Sequence, residues 1–377
     1  MNYKANAFSR FRQVKSVHDE FDFDAQADRI GSGAFSTVFR ANYKDASKSS
    51  VRVALKVIPK KRLETERQAR NVVREAAMLS TINVRGCISL REVLQTKADV
   101  ILVTNLIEGV ELGRVLRKTG ALGEEFARVV VSELLGVLSS LHAKGFIHRD
   151  IKPDNILISL LTESGAPITD VDECTPNTLS IALTNKSEKV TLVDFGFARP
   201  LVPSSPTGSC EDLPILESPN SAGKSKTFEE VAEKADDNKS SPETTPTSNE
   251  NVKTEEVCCD SVFLSTCGAE RFMAPEILKS ALECDGQKRC SVELAKLVDC
   301  YALGVVAYVL VSGCFPFNGK TKSTLLTQEL NGAKFTSANW LGVSRDAQNF
   351  IASLLTPDPE GRLSADMALR HPWITKV

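Results

Sequence analysis

The 377-residue chain has little of what metal centres and disulfide frameworks need. It carries only four histidines, and its ten cysteines are scattered with no C-x-x-C pair. A zinc site or a stapled secreted scaffold is therefore not expected; reduced intracellular thiols are. The net charge of −2 gives no reason to expect a nucleic-acid partner. Residues 1–24 include Arg10, Arg12 and Lys15 but lack the apolar centre of a signal peptide. No apolar run approaches ~18 residues, so no membrane span is expected. Asn2 excludes the N-terminal glycine that myristoylation requires. Cytoplasm, nucleus or both is the expected location. No internal repeat is visible.

What is present is an ordinary globular composition, 42% hydrophobic and 25% charged. The length allows one large domain or two lobes. From Ile30 to Val57 the pattern is strand-like: VFRANY and VRVALKVI are β-branched runs with a polar break between them. Residues 62–80 switch to helical spacing, with Ala69, Val72, Ala76 and Leu79 on one side. VILVTNLI, residues 100–107, reads as a buried strand. Residues 124–144 predict a long helix with a stripe of Phe126, Val130, Leu134, Leu138 and Leu141, stopped at Gly145. Residues 299–312 predict a helix apolar on all sides. Residues 1–27 read as an N-terminal extension. Two intervals break the globular pattern. Residues 159–189 are polar and rich in Thr and Asn. Residues 200–262 are rich in Ser, Pro, Thr and acid, with 12 Asp and Glu against 5 Lys over 211–256. That interval cannot bury enough apolar area to offset its ordering entropy, and it is expected to be a disordered insertion inside a domain.

Four motifs carry chemistry; IHRDIKPDNIL is the strongest, and the glycine string and VTLVDFGFA are weak alone. The string IGSGAFSTV spans Ile30, Gly31, Ser32, Gly33, Ala34, Phe35, Ser36, Thr37 and Val38. Its glycines would let a strand–turn–strand backbone close over phosphates. A third glycine is absent, with Ser36 in its place. Lys56 ends the apolar string VALK. A lone lysine there would ordinarily snorkel to the surface, but Glu75 follows 19 residues later on the predicted helix. An ion pair between them would hold the ammonium against phosphates. In IHRDIKPDNIL, Asp150 and Asn155 sit five apart after the long helix. A carboxylate can orient a hydroxyl and accept its proton, and an amide oxygen can hold Mg²⁺. Lys152 between them would neutralise phosphoryl charge. In VTLVDFGFA, Asp194 can be a charged metal ligand, with Gly196 permitting a sharp turn.

In this order the motifs resemble the eukaryotic protein kinase family, over residues 28–374 apart from the two intervals. The resemblance implies an α+β, two-lobed protein-kinase fold. An antiparallel N-lobe sheet with one main helix, 28–107, would precede a mainly helical C-lobe, 108–374. It implies ATP and Mg²⁺ as cofactors and protein Ser/Thr hydroxyls as acceptors. Asp150 would be the base, Lys56 and Glu75 the ion pair, and Asn155 and Asp194 the metal ligands. Ala54, Thr104, Asn105, Ile107, Glu111 and Leu157 would join residues 30–38 around ATP. Thr104 falls at the gatekeeper position, and Leu157 would floor the adenine. Ala274-Pro275-Glu276 matches the family's APE, Arg362 its partner arginine, and Asp299 the aspartate that braces the catalytic loop. His148 and Phe195 would pack, and His371 would end a helix. Lys152 places the chain in the Ser/Thr branch. The run GCFPFNGKT…RLSADMALRHPWI is most similar to the calcium/calmodulin-dependent protein kinase group. No calmodulin-binding tail is expected after Val377. Glu111 and Asp154 match acidic positions that read basic residues upstream of the acceptor, although Glu111 could equally touch only ribose.

The chain departs from the family where a threonine and a proline are usual: Ala269 and Glu270 stand there. From Asp194 to Glu276 is 82 positions, and the surplus coincides with the acidic interval. That interval would either dock or regulate, with phosphate on Ser265 or Thr266 meeting Arg149, or be a surface loop tolerated at little cost. The alternatives are a pseudokinase scaffold and a small-molecule phosphotransferase. The second kind generally lacks the APE segment. A dinucleotide oxidoreductase fits less well, because the glycines lie between strands.

Overall fold

The computed structural model describes residues 7–33, 35–48, 51–162, 164–175, 178–179, 190–201, 261–265, 270–283 and 287–376, with 261–265 and 287–290 described by backbone alone. The first part of the chain forms one sheet. Its strands are β1 (Arg12–Gln13), β2 (Phe21–Asp22), β3 (Arg29–Ser32), β4 (Thr37–Tyr43), β5 (Arg52–Pro59), β6 (Leu90–Gln95) and β7 (Asp99–Asn105). Between β5 and β6 the chain forms α1 (Glu66–Thr81). The sheet order is β1-β6-β7-β5-β4-β2, with β3 also on β4. All pairings are antiparallel except β1 with β6.

The period of two decides which side chains reach the site. Phe39, Val53, Leu55, Val57, Ile101 and Val103 face one way, into an apolar cluster closed by Val14, Phe21 and Tyr43. Register sets Val38 opposite Lys56 and Ala54 opposite Thr104. These alternate residues therefore share the other face. Helix α1 starts at Glu66 because Thr65 and Gln68 form a reciprocal capping box. The sequence pattern put that start four residues too early.

The second part of the chain holds β8 (Val110–Glu111), α2 (Leu112–Thr119), α3 (Glu124–Ala143), β9 (Phe146–Ile147), β10 (Ile156–Ile158), β11 (Leu160–Leu161), β12 (Pro167–Ile168), β13 (Val190–Leu192), β14 (Arg199–Pro200) and β15 (Ser261–Ser265). There follow α4 (Pro275–Leu282), β16 (Gln287–Ser291), α5 (Val292–Ser312), α6 (Lys322–Leu330), α7 (Arg345–Leu354), α8 (Ala365–Ala368) and α9 (Pro372–Thr375). The stripe expected on α3 is buried as read, and Gly145 follows it with φ +78°. Helix α5 begins seven residues before the expected start, because Glu293 and Lys296 hide its first turns from an apolar-run reading. Helices α3 and α5 are both long and apolar enough to cross a bilayer by length and composition alone, a test that buried core helices also pass. The apolar window of α5 is 89% buried inside the protein, so packed side chains take the place of lipid around it.

The interval 159–189 is folded in part: β11 and β12 pair, and Ile168, Cys174 and Leu179 enter the core. Strand β15 pairs antiparallel with β16, setting the backbone of Ser265 opposite Gln287. Ala34, residues 202–260, Thr266 and Ala269 lie outside the described residues. An antiparallel-rich sheet with one long helix, followed by a mainly helical part, is the two-lobed arrangement expected.

Candidate active site

Lys56 lies in β5 on the face described above. Its Nζ is 2.5 Å from Glu75 Oε1 and 3.5 Å from Asp194 Oδ1. Glu75 is reached because it follows Val72 by one helical turn on the buried face of α1. Burial would push the Lys56 ammonium down; Glu75 and then Asp194 outweigh it and hold the group charged. Burial would likewise raise the Asp194 carboxyl, but Lys56 and His148 keep it below its usual range.

The loop after β9 gathers the second set. Lys152 Nζ and Asn155 Nδ2 both donate to Asp150 Oδ2, at 2.6 and 2.7 Å. Asn155 Nδ2 also donates to the Asp150 carbonyl at 2.8 Å. The amide nitrogen is thus committed, which leaves Oδ1 as the free acceptor end of the side chain. The Asn155 carbonyl accepts Val193 N–H at 2.9 Å, and His148 Nε2 lies 3.2 Å from the Val193 carbonyl. The loop and the residue before Asp194 are therefore tied together by backbone.

Two non-glycine residues have φ in the left-handed region among the described residues, Arg149 at +70° and Asp194 at +62°. They directly precede Asp150 and follow Val193. Such conformations cost of order 1–3 kcal/mol and persist where surroundings over-determine them. This corrects the sequence reading of Gly196: the sharp turn falls on Asp194 itself. A Cβ on Gly196 would lie 3.3 Å from Asp194 Oδ1, so that carboxylate would have to give by a few tenths of an ångström. Its N–H donates to that oxygen at 3.4 Å.

Beneath the loop stands Asp299, 1% exposed on α5. It accepts the backbone N–H groups of His148 and Arg149, at 2.9 and 2.7 Å, and meets His142 Nε2 at 2.9 Å. His142 was not anticipated; nothing in its spacing marks it, and only the packing of α3 on α5 brings it there. His148 and Phe195 are buried and meet edge to face at 4.8 Å. Strand β14 pairs with β9, anchoring the chain just after Phe195. Arg362 binds Glu276 bidentately, at 2.9 and 3.0 Å. His371 caps α9, as read, by accepting Trp373 N–H at 3.1 Å.

The residues expected around ATP fall into three groups. Gly31, Ser32, Thr37 and Val38 form the β3–β4 hairpin; Gly33 N–H closes its turn on the Ser36 carbonyl at 2.9 Å, and Phe35 is exposed at the tip. Ile30, also in β3, is exposed. Thr104 lies opposite Ala54, its hydroxyl 3.5 Å from the Ala54 carbonyl. Asn105 ends β7, and Ile107 follows it before β8. Leu157 pairs with Glu111 across β10 and β8. Glu111 is half-buried, and burial raises its carboxyl. Asp154 lies exposed beside the end of α2, where Arg117 binds its Oδ1 at 2.7 Å. Glu270 lies 3.5 Å from Lys322 at the start of α6.

Comparison with known proteins agrees with this geometry. The chain matches the protein kinase domain model over residues 25–214 and 248–374. It resembles calcium/calmodulin-dependent protein kinase type 1B of Homo sapiens, 28% identical over 349 residues covering 92% of this chain and 74% of that protein. The Rattus norvegicus type 1B enzyme is 27% identical over the same shares. Calcium/calmodulin-dependent protein kinase type 1 of Caenorhabditis briggsae is 26% identical over 365 residues, 96% of this chain and 74% of that protein. The match over most of the length, with the Lys56–Glu75 ion pair and the Asp150 and Asp194 carboxylates placed as described, leads to one assignment: the chain belongs to the protein kinase family.

Proposed function

We propose that the chain transfers the γ-phosphate of ATP to serine or threonine hydroxyls of proteins. The observation that carries this is the convergence of Lys152 and Asn155 on Asp150, with Lys56 closed between Glu75 and Asp194. The donor set fits Mg²⁺–ATP: Asp194 and the free Oδ1 of Asn155 are hard oxygen ligands, and Lys56 is a charged partner for phosphate. Mg²⁺ would supply neutralisation of the charge on the phosphates. Asp150 orients the acceptor hydroxyl and takes its proton as that oxygen bonds to phosphorus. The bond from the γ-phosphorus to the bridging oxygen breaks, and ADP leaves. Lys152 balances charge on the moving phosphoryl group.

Acceptors preceded by basic residues fit Glu111, whose carboxylate is half-buried beside β10. The acidic interval within 200–262 fits a docking or regulatory tether, and the cytoplasm or nucleus fits the free thiols. The test is a peptide array with radiolabelled ATP, run on wild type and on Asp150→Ala. Labelled Ser/Thr spots from wild type alone support transfer. The second reading is a scaffold that binds ATP without transfer. It is favoured by Glu270, which replaces the usual proline and leans on Lys322. ATP binding with no labelled spot from wild type would select it.

A further inference from the structure

The stretch before the glycine hairpin is not a loose leader over its described part. Phe8 is 0% exposed and sits in the same apolar cluster as Leu63, Ala69, Val72 and Ala76. The last three are on the inner face of α1, the face that also carries Glu75. The ring stands under Lys60, whose Nζ is 5.6 Å from its centroid, and beside Phe11 at 5.9 Å.

A buried amide clamps this segment. Gln95, 7% exposed at the end of β6, donates from Nε2 to the carbonyls of Phe8 and Phe11, at 2.6 and 3.2 Å. Its Oε1 accepts from Lys60 Nζ at 3.0 Å. Its own carbonyl accepts Val14 N–H at 2.9 Å. Strand β1 then covers the open edge of β6, and Arg12 bridges Glu20 and Glu92, at 2.9 and 2.8 Å. An amide whose donor and acceptor ends are both used is costly to orphan, so the clamp holds the segment in register.

We infer that the segment Phe8–Gln13 is a positioning element for phosphoryl transfer, holding α1 where Glu75 meets Lys56. The inference rests on the kinase reading above. Lys60 lies four residues beyond Lys56, in the connection that leads from the lysine's strand to the helix carrying Glu75, so the clamp fixes the segment to that connection. Without Phe8, the apolar cluster that takes in the inner face of α1 loses a buried ring, and α1 can settle toward the sheet or swing away. The Lys56–Glu75 contact is short and directional, and misplacement by about 1 Å in such a constellation can cost up to ~100-fold in rate. The groove therefore also defines a docking site whose occupant is this chain's own N-terminal segment.

The test uses three variants, two peptides and two readouts. Deletion of residues 2–13 should lower kcat/KM for ATP by about tenfold, equal to ~1.4 kcal/mol. A peptide of residues 2–16 added in trans should restore it, and the same peptide carrying Phe8→Ala should not. In the full chain Phe8→Ala should reproduce the loss and Phe8→Leu should recover most of it; this pair decides the matter if the deletion does not fold. Amide hydrogen exchange over residues 66–81 should quicken in the deletion and slow again with peptide. Wild-type turnover and wild-type exchange in α1 would overturn the proposal. So would a loss that tracks only the unfolded fraction and ignores the peptide. If wild type transfers no phosphate yet α1 exchange responds, the transfer reading fails and the positioning role stands.

Discussion

Asp299 accepts the backbone N–H of Arg149 at 2.7 Å, joining the middle of α5 to the residue that immediately precedes Asp150. Arg149 is one of the two strained non-glycine residues, at φ +70°. The same carboxylate also accepts the His148 N–H and meets His142. Removing it leaves buried donors without acceptors and releases a strained loop. Asp299→Ala should lose roughly 3 kcal/mol of stability. Peptide phosphorylation should fall at least about tenfold in the fraction still folded. Thermal unfolding and single-temperature kinetics measure the two separately, and an unchanged rate would remove the bracing role.

Lys56→Met and Asp194→Ala should each lower phosphotransfer by at least about 100-fold while circular dichroism stays that of wild type. Lys56 is charged and closed between Glu75 and Asp194, and on the proposed function Asp194 would supply the charged oxygen ligand. Turnover within tenfold of wild type in either variant would count against these roles.

Glu329, on α6, is 0% exposed, and neither carboxylate oxygen has a hydrogen-bond partner among the described residues. Burial first, and then Glu276, push its carboxyl from the ordinary 4.5 up to about 9, against a smaller opposing pull from Arg362. The folded state therefore keeps a proton that the unfolded chain releases. This contribution is full below about pH 4.5 and is lost as pH rises toward about 9, at up to ~1.4 kcal/mol per pH unit. Denaturant melts of wild type and Glu329→Gln across pH 5 to 8 should diverge, with the variant gaining at the higher pH. Parallel curves would refute the assignment.

Arg362 uses all five of its donors, on Glu276 twice and on the carbonyls of Thr356, Leu297 and Pro357. Its guanidinium also stacks 4.8 Å from the Tyr301 ring centroid. A lysine cannot fork or stack in this way. Arg362→Lys should cost about 2–4 kcal/mol despite conserving charge. Calorimetric unfolding would show it as a clear drop in Tm.

The sequence by itself determined the chemistry. Lys56, Glu75, Asp150, Lys152, Asn155 and Asp194 are all readable as candidates, because the protein kinase motifs hold those side-chain types in that order, and the structure brings them together in two sets. It also determined the apolar face of α3, because a period near 3.6 must be buried somewhere. What only the tertiary structure decided are the supports. No spacing announces that His142 meets Asp299, that the left-handed turn falls on Asp194 rather than Gly196, or that Arg117 binds Asp154. Nor does it show that Phe8 joins the apolar cluster of α1 beneath Lys60, or that an acid as buried as Glu329 has no hydrogen-bond partner among the described residues. Each depends on contacts between residues far apart in the chain. Local propensity and periodicity describe one element at a time, whereas such contacts are fixed only when helices and strands pack together and the buried polar groups must find partners.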